Sequence, residues 1–354
     1  MHLVQRFEAN PLLRPADLTA STSGLKIECL LNPGAFRFQG KTWLLLRVAE
    51  RPEQRDGRTA IPILDETSGG IRIREFDNCD PLLHFVDPRV ITYANEGYLT
   101  TMSHLRLVAS DDGIHFSPQP GYPPIFGHGD LETYGIEDCR VALIDSVYYL
   151  TFTQVSRHGV GVGLKSTEDW KKFQNLGMIL PPHNKDCALF EQLINGKYYA
   201  LHRPSSPELG GHYMWIAESE DLQHWGNHRC LAHPRAGYWD SKRIGAGASP
   251  IRTNEGWLEI YHGADSANRY CLGALLLDLY EPWKVIGRSH LPFMEPATEY
   301  ERSGFLGNVI FTNGHVVDGD TITIYYGASD SVICGAQLSV AKLLDSVVEA
   351  NARL

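Results

Sequence analysis

The sequence of 354 residues lacks long apolar runs, CxxC cysteine pairs and blocks of like charge. No stretch approaches the ~20 apolar residues of a membrane-spanning helix, and the first seven residues lack the apolar run of a signal peptide. The seven cysteines are odd in number, which with the missing CxxC pairs fits neither a disulfide framework nor a zinc site. We therefore expect reduced cysteines, no metal, no membrane partner and a cytoplasmic location.

Basic residues are the minority among the charged ones. Lys and Arg number 32 against 42 Asp and Glu, which gives a formal net charge of −10. Nucleic acids and anionic lipids select for basic surfaces, so neither is expected as a partner. No linker-like segment divides the chain, and 43% of its residues are hydrophobic, enough for a large core. We predict one domain over residues 1–354.

A strand pattern recurs along the chain. A Ser-x-Asp-like turn followed by an aromatic residue begins at Ser110, Ser166 and Ser219, at spacings of 56 (166 − 110) and 53 (219 − 166) residues. Helical periodicity is convincing only near the C-terminus, at residues 343–348. Runs rich in aromatic and β-branched residues, most of them after a Gly or Asp turn, occupy residues 42–47, 147–152, 197–202, 256–261 and 321–326.

Many short strands at this spacing predict an all-β fold, a five-bladed β-propeller with a short C-terminal helix. Radial repetition favours this arrangement because it leaves few sheet edges exposed. A pair of β-sandwiches is the alternative. In a propeller the innermost strands converge on a central channel, so polar residues at equivalent strand ends would meet in one pocket. Arg47, Arg203 and His262 stand at such ends.

The most informative segment is residues 134–140, which read Tyr-Gly-Ile-Glu-Asp-Cys-Arg and set two acids beside a cation. Such a cluster can hold a carboxyl group protonated. Taken alone, Glu137 and Asp138 would more often be a solvated turn. Downstream, cationic side chains recur at strand ends, as a bound anion would require: Lys185, Arg203, Arg243 and His262. Together these features indicate an acid catalyst beside a phosphate site.

These residues resemble glycoside hydrolase family 130, whose members are five-bladed propeller enzymes that act on β-mannosides, mostly by phosphorolysis. The resemblance covers nearly the whole chain. It rests on seven short segments in the same order: residues 44–50, 136–140, 184–186, 201–204, 243–247, 261–263 and 326–330.

The resemblance implies roles for individual residues. Asp138 matches the family's proton donor, although Cys139 stands where the family motif usually has Pro. The donor sugar would contact Asn32 and Asp330, and we add Arg47, Glu137 and Tyr134, the last as a stacking platform in preference to Trp239, Tyr261 and Phe305. The matching phosphate ligands are Lys185, Arg203, Arg243 and His262, with Lys242 as an alternative to Arg243. His183, His202 and Asp186 lack the spacing of a metal site.

Phosphate as nucleophile changes what the site must contain. Inverting hydrolysis takes two carboxyl groups, but phosphate is already anionic and a second carboxylate would repel it. A phosphorolytic site should therefore show one acid and several cations, with arginine suited to the two-pronged contact. To donate its proton, Asp138 needs a pKa above the ordinary ~3.9. Burial and Glu137 would raise that pKa, and Arg140 would lower it.

We predict an inverting β-mannoside phosphorylase, a glycosyltransferase-type enzyme that needs inorganic phosphate as co-substrate and no other cofactor. The product would be α-mannose 1-phosphate, and the substrate β-1,2-mannobiose or β-1,2-oligomannan. A β-mannosidase of the same fold, a phosphorylase for mannosyl-glucose or β-1,4-mannosides, and a non-catalytic carbohydrate-binding propeller are the alternatives. Loops at 52–70 and 204–211 would shape the acceptor site, and the C-terminal helix would allow a homo-oligomer.

Overall fold

The aromatic and β-branched runs form antiparallel strands in the computed structural model, which describes residues 3–65, 67, 69–87, 89–205 and 209–351. The first strands are β1 (Val4–Arg6), β2 (Leu25–Phe38), β3 (Lys41–Pro52), β4 (Arg58–Asp65), β5 (Gly70–Asp77), β6 (Leu83–Asp87), β7 (Val90–Tyr93), β8 (Glu96–Leu99), β9 (Met102–Ser110) and β10 (Ser117–Pro118). Next are β11 (Ile136–Ile144), β12 (Val147–Ser156), β13 (Gly159–Thr167), β14 (Gln174–Leu180), β15 (Asn184–Leu189), β16 (Tyr198–Pro204), β17 (Met214–Ser219) and β18 (Trp225–Ala232). The last are β19 (Arg243–Ala246), β20 (Ile251–Arg252), β21 (Trp257–Ala264), β22 (Tyr270–Leu277), β23 (Val285–Arg288), β24 (Ile310–Asp318), β25 (Thr321–Ala328) and β26 (Val332–Ser339).

Helices are few and short. The described residues contain a 3-10 helix, Pro15–Asp17, and the α-helices α1 (Glu299–Arg302) and α2 (Val340–Asn351). None of the described helices is long and apolar enough to span a membrane. The predicted all-β class and C-terminal helix are confirmed. Of the two loops predicted to shape an acceptor site, residues 66, 68 and 206–208 lie outside the described residues.

Five sheets of hairpin-connected strands follow one another along the chain. Sheet 1 contains β2, β3, β9 and β10; sheet 2 contains β11 to β14; sheet 3 contains β15 to β18; sheet 4 contains β19 and β21 to β23, with β20 paired to β21; sheet 5 contains β24, β25, β26 and β1. In sheet 5 the strand β1 pairs with β26, so the first and the last described strands share one sheet. Two small sheets, β4–β5 and β6–β8, lie between β3 and β9 in sequence. We call residues 53–101 the insert.

Neighbouring sheets pack against each other in chain order. Strand β2 of sheet 1 contacts β11 of sheet 2, β13 contacts β15 of sheet 3, β16 contacts β19 of sheet 4, β22 contacts β24 of sheet 5, and β24 returns to β2. Each junction has its own apolar cluster. Between sheets 1 and 2, for example, Phe36 stacks on Trp170 with ring centroids 3.9 Å apart. Burying such a side chain contributes about 1.5–3 kcal/mol, so the junctions hold the sheets together.

The recurrent Ser-x-Asp motif is the turn between the last two strands of a sheet. Ser110 and Ser219 accept backbone N–H groups through their hydroxyls. In sheet 2 the equivalent residue is Thr167 rather than Ser166, so the spacings are 57 (167 − 110) and 52 (219 − 167). In each turn, a carboxylate two residues later accepts two further N–H groups; these are Asp112, Asp169 and Asp221.

A β-bulge interrupts the first strand of sheets 1, 2, 3 and 5. In sheets 1 to 3 the bulge residue is polar and has a positive φ, of 28° at Asn32, 46° at Asp138 and 52° at Asp186. Asn and Asp tolerate this left-handed region better than most residues. Bulges redirect side chains out of the regular alternation. One repeated backbone feature therefore delivers three polar side chains to one end of the sheets.

Candidate active site

The three bulge residues line one cavity of about 830 Å³, to which all five sheets contribute. Of the ten predicted site residues, eight line it: Asn32, Arg47, Glu137, Asp138, Lys185, Arg203, Arg243 and Asp330. His262 and Tyr134 do not. Asp186, Tyr270, Phe305 and Phe311 are further lining residues. Residues far apart in sequence thus meet in one place, which we call the main cavity.

Asp138 is held by one of its two carboxylate oxygens. Its Oδ1 accepts hydrogen bonds from Nδ2 of Asn32 at 3.1 Å and from a guanidinium nitrogen of Arg47 at 3.0 Å. Its backbone carbonyl accepts from Arg140 at 3.0 Å. No described residue donates a hydrogen bond to Oδ2, and the side chain keeps 10% exposure at the cavity wall. This oxygen is therefore the one that can meet a ligand.

Arg47 also binds the neighbouring acid. It donates to Oε1 of Glu137 at 2.8 Å, and Lys185 Nζ lies 3.7 Å from Oε2 of the same residue. Burial alone would raise the pKa of Asp138, but the charges of Arg47, Lys185 and Arg140 outweigh burial and lower it. Proton donation calls for a raised pKa at Asp138, and this arrangement does not provide it. The charge of Glu137, which would raise that pKa, is offset by Arg47 and Lys185.

Asp186 gathers a second set of cations. Its Oδ1 accepts from Arg140 at 3.2 Å, while its Oδ2 lies 3.1 Å from a guanidinium nitrogen of Arg203 and 3.3 Å from Nε2 of His262. Burial opposes ionisation, yet Arg203, His262 and Arg140 hold the pKa of Asp186 well below its usual range. Gly245 leaves room for this group, since a Cβ there would come 2.3 Å from Asp186 Oδ2.

Sequence reasoning missed this role of Asp186 and weighed it only as a metal ligand. A signal was present: Lys185-Asp186-Cys187 repeats the pattern Glu137-Asp138-Cys139, and both segments form the same bulge. No cluster of three or more candidate metal ligands occurs in the described part of the chain. The structure thus assigns Asp186 to the cation cluster.

His262 lies behind the cavity wall. It is fully buried, its ring packs on Phe311 with centroids 4.0 Å apart, and its Nε2 is 3.5 Å from Arg203. Burial lowers the pKa of His262 to about 4, although Asp186 opposes the shift. A neutral imidazole at pH 7 supports Arg203 and Asp186. Its direct contact with phosphate stays a prediction that its burial does not favour.

The adjacent cations Lys242 and Arg243 point to different places. Arg243 lines the main cavity and donates to the hydroxyl of Tyr270 at 3.0 Å. Lys242 donates to Asn268 at 2.9 Å and does not line the cavity. Of the two candidates, Arg243 is the one placed to meet a ligand.

The aromatic residues are arranged differently from the prediction. Tyr134 lines a neighbouring cavity and donates its hydroxyl to the carbonyl of Gly97 at 2.6 Å. Phe305, which is 55% exposed, lines the main cavity instead. It lies in the loop between α1 and β24, and the path of a loop does not follow from strand periodicity.

The expected count of one acid and several cations is wrong for the main cavity as a whole. Among the described residues, its wall carries five cationic residues, Arg47, Arg89, Lys185, Arg203 and Arg243, and four carboxyl groups, Glu137, Asp138, Asp186 and Asp330. Glu137 and Asp186 are bound to cations. Burial raises the pKa of Asp330 to about 6, helped by Asp138 and Glu137 and opposed by Arg47. Paired or partly neutral acids repel an anion less than their number indicates.

Comparison with known proteins provides evidence that is independent of the cavity geometry. The model of glycoside hydrolase family 130, described as beta-1,4-mannooligosaccharide phosphorylase, matches residues 82–349. The chain is 39% identical to the beta-1,2-mannobiose phosphorylase of Listeria innocua, over 98% of this chain and 99% of that protein. It is also 39% identical to a 1,2-beta-oligomannan phosphorylase of Thermoanaerobacter, over 66% of this chain and 77% of that protein.

Solved structures agree with these matches. The Listeria innocua beta-1,2-mannobiose phosphorylase, solved as a complex with beta-1,2-mannobiose, superposes with a TM-score of 0.90 and 38% identity, covering 97% of this chain and 99% of that one. A structure from work on family members that are hydrolases of beta-1,2 mannosidic linkages has a TM-score of 0.73 at 24% identity, covering 94% of this chain and 93% of that one. That second likeness concerns the fold alone.

Proposed function

The chain belongs to glycoside hydrolase family 130, and from this premise we propose that it is an inverting phosphorylase that cleaves β-1,2-linked mannosides with inorganic phosphate. The observation that carries the proposal is the meeting in one cavity of Asp138, whose Oδ2 accepts no hydrogen bond from the described residues, and the cations Lys185, Arg203 and Arg243. The near full-length similarity to a β-1,2-mannobiose phosphorylase supports it.

This site would lie at the centre of a five-bladed β-propeller formed as a single domain. Each of the sheets 1 to 5 is then one blade. Two observations support this arrangement: the packing order of the sheets returns from sheet 5 to sheet 1, and β1 completes sheet 5 beside the C-terminal strands. A central site would also be lined by every blade, as the main cavity is.

The transferred mannosyl unit would bind between sheets 1, 2 and 5. Asn32 and Arg47 fix Oδ1 of Asp138, which leaves Oδ2 to face the sugar. Asp138 would release its proton to a sugar hydroxyl that passes one on to the leaving oxygen, the route that the family resemblance implies. Asp330 lies between β25 and β26 of sheet 5. Its carboxylate would accept hydrogen bonds from the hydroxyls of the same sugar unit. Proton transfer by a positioned acid contributes about 10²–10⁴-fold to a rate.

Phosphate would enter beside the cations of sheets 3 and 4. Its oxygen attacks the anomeric carbon from the face opposite the leaving oxygen, which inverts the configuration. Arg203 and Arg243 can each donate two parallel hydrogen bonds, and Lys185 supplies a compact charge. The negative charge of phosphate would also offset the cations that lower the pKa of Asp138. Phosphate binding thus makes Asp138 a better proton donor, and the two events are coupled.

The test is product analysis of β-1,2-mannobiose cleavage with and without phosphate. We expect α-mannose 1-phosphate and mannose in equal amounts, formed only when phosphate is present. Equal turnover without phosphate would make the protein a mannosidase, and sugar binding without turnover would make it a binding protein. Preference for mannosyl-glucose or β-1,4-mannobiose would overturn the linkage assignment. The Asp138→Asn variant serves as the inactive control.

A further inference from the structure

Glu259, on β21, is a fully buried acid that the proposed mechanism does not use. Its Oε1 accepts a hydrogen bond from the backbone N–H of Gly247 at 2.9 Å. Its Oε2 is buried as well and has no hydrogen-bond partner among the described residues. Burial raises the pKa of Glu259 well above its usual value, although the N–H of Gly247 and the charge of Arg140 oppose the shift. Burial thus favours the neutral, protonated form of this acid.

The stability of the fold does not explain this carboxyl group. A buried polar atom without a hydrogen-bond partner lowers stability. The N–H of Gly247 also donates to the carbonyl of Ile260 at 3.1 Å, so it would keep an acceptor without Glu259. Glu301 is equally buried, but both of its oxygens accept hydrogen bonds from Arg6. A buried acid that costs stability is expected where a functional site requires it.

Residues 246–247 hold the side chain of Arg140, which is 2% exposed. The guanidinium group donates to the carbonyl of residue 246 at 2.8 Å and to that of residue 247 at 2.7 Å. Two further hydrogen bonds from Arg140 reach the backbone carbonyl of Asp138 and the carboxylate of Asp186. The carbonyl groups of one short segment therefore set the position of the cation that contacts both acids.

One planar peptide group connects Ala246 to Gly247. Its N–H donates to Glu259 and its carbonyl accepts from Arg140, so the two side chains hold the group from opposite edges. Only glycine fits at residue 247, because a Cβ there would come 2.3 Å from the carbonyl oxygen of Ile260. The hydrogen bond to Glu259 thus fixes the orientation of the carbonyl that Arg140 binds.

Resting on the proposed function, we propose that Glu259 is a positioning residue for the reaction. It fixes the peptide group that receives Arg140, and Arg140 in turn links Asp138 to the cation cluster around Asp186. Glu259 does not line the main cavity, so it would contact neither the sugar nor the phosphate. The neutral form suits this role, because a negative charge would compete with Asp186 for the guanidinium group of Arg140.

The experiment compares Glu259→Gln with Glu259→Met in the phosphorolysis of β-1,2-mannobiose. Gln keeps an acceptor for Gly247, so we expect kcat and both KM values within about twofold of wild type. Met keeps the unbranched shape but removes the acceptor. We expect its kcat to fall about tenfold and its KM for phosphate to rise about threefold, because Arg140 is displaced, with the KM for mannobiose nearly unchanged.

Thermal unfolding of the same variants separates positioning from a structural role. The melting temperature of Glu259→Met should equal or exceed that of wild type, because the variant removes a buried carboxyl group with an unpartnered oxygen. Glu301→Met is the matched control, since Glu301 is equally buried, is fully hydrogen-bonded and does not line the main cavity. It should lower the melting temperature and leave the kinetic constants within about twofold of wild type.

The outcomes distinguish this inference from the function on which it rests. If the wild type does not cleave mannobiose with phosphate, the proposed function fails, and the inference with it. If the wild type does so and Glu259→Met keeps its kcat within about twofold, the inference alone is overturned. A Glu259→Met variant that fails to fold or melts below the wild type would make Glu259 a structural residue and overturn it too. Equal losses of activity in the Gln and Met variants would have the same consequence, because Gln keeps the acceptor.

Discussion

Asp138 and Asp186 occupy the same bulge position in adjacent sheets, yet their surroundings differ. Each has a positive φ, follows a charged residue and precedes a cysteine. Asp186 is contacted through both oxygens by Arg140, Arg203 and His262 and is 2% exposed. Hydrogen bonds from described residues reach Oδ1 alone in both acids, and the difference is that Arg203 and His262 lie within 3.3 Å of Oδ2 of Asp186. The same backbone feature therefore presents one carboxylate to a ligand and encloses the other among cations.

The neighbours, and not the local backbone, therefore decide what a bulge acid does. Arg140 contacts both regions, since it donates to the carbonyl of Asp138 and to the side chain of Asp186. The position of the proposed proton donor is thereby tied to the position of the proposed phosphate ligands. Variants at each acid should separate loss of chemistry from loss of the cation cluster.

The largest effect should come from Asp138→Asn. The amide cannot donate the proton, so we expect kcat to fall about 10³-fold or more, while Arg47 keeps its partner Glu137 and the melting temperature changes little. Steady-state kinetics and thermal unfolding measure the two properties. A variant with near wild-type kcat would remove Asp138 from the role of acid.

Asp186→Asn, unlike Asp138→Asn, should lower the stability of the protein. Removing the charge leaves Arg140 and Arg203 buried without their carboxylate, so the free energy of unfolding should fall by about 3 kcal/mol. The KM for phosphate should rise as the cations lose their fixed positions. Denaturant unfolding and phosphate titration check this, with Asp138→Asn as the matched control. Equal stability of the two variants would end the distinction drawn between these acids.

Arg203→Ala removes one cation of the proposed phosphate site. We expect the KM for phosphate to rise about tenfold or more, because a charge-assisted contact contributes about 1.5–3 kcal/mol, with the KM for mannobiose nearly unchanged. Arg47→Lys should raise the KM for mannobiose and leave the KM for phosphate nearly unchanged, because it disturbs the hydrogen bonds of Arg47 to Asp138 and Glu137. Initial rates with each substrate varied in turn provide the measurement. An unchanged phosphate KM in Arg203→Ala would exclude this residue from the phosphate site.

The smallest effect concerns Asp330 and pH. Its pKa is about 6 in the folded protein against an ordinary 3.8, so the folded state binds the proton more tightly and stability is lost as pH rises through about 4 to 6. Asp330→Asn removes this loss. We expect the variant to gain about 1–2 kcal/mol relative to wild type at pH 7, after allowance for partial exposure, and nothing near pH 4. Thermal unfolding across this pH range is the check, and a gain independent of pH would contradict it.

The sequence predicted the strands and most of the cavity wall because both depend on local pattern. Strand runs and turns are encoded within a few residues, and eight of the ten predicted residues line the main cavity. Asp186 was missed because its partners Arg203 and His262 come from other strands. Tyr134 lines the neighbouring cavity and Phe305 the main cavity. The sequence did not predict these positions, because the paths of the loops and of the insert depend on packing that no short segment specifies. The direction of the Asp138 pKa likewise required the positions of Arg47 and Lys185.

The most direct test determines whether the oxygen that attacks the anomeric carbon comes from phosphate or from water. Cleavage of β-1,2-mannobiose with phosphate, in water enriched in the heavy oxygen isotope, should yield α-mannose 1-phosphate without the label, since the attacking oxygen comes from phosphate. Mass spectrometry of the products reads this out. Free mannose carrying the label at its anomeric carbon as the main early product, after correction for spontaneous exchange, would show that water attacks and would contradict the account.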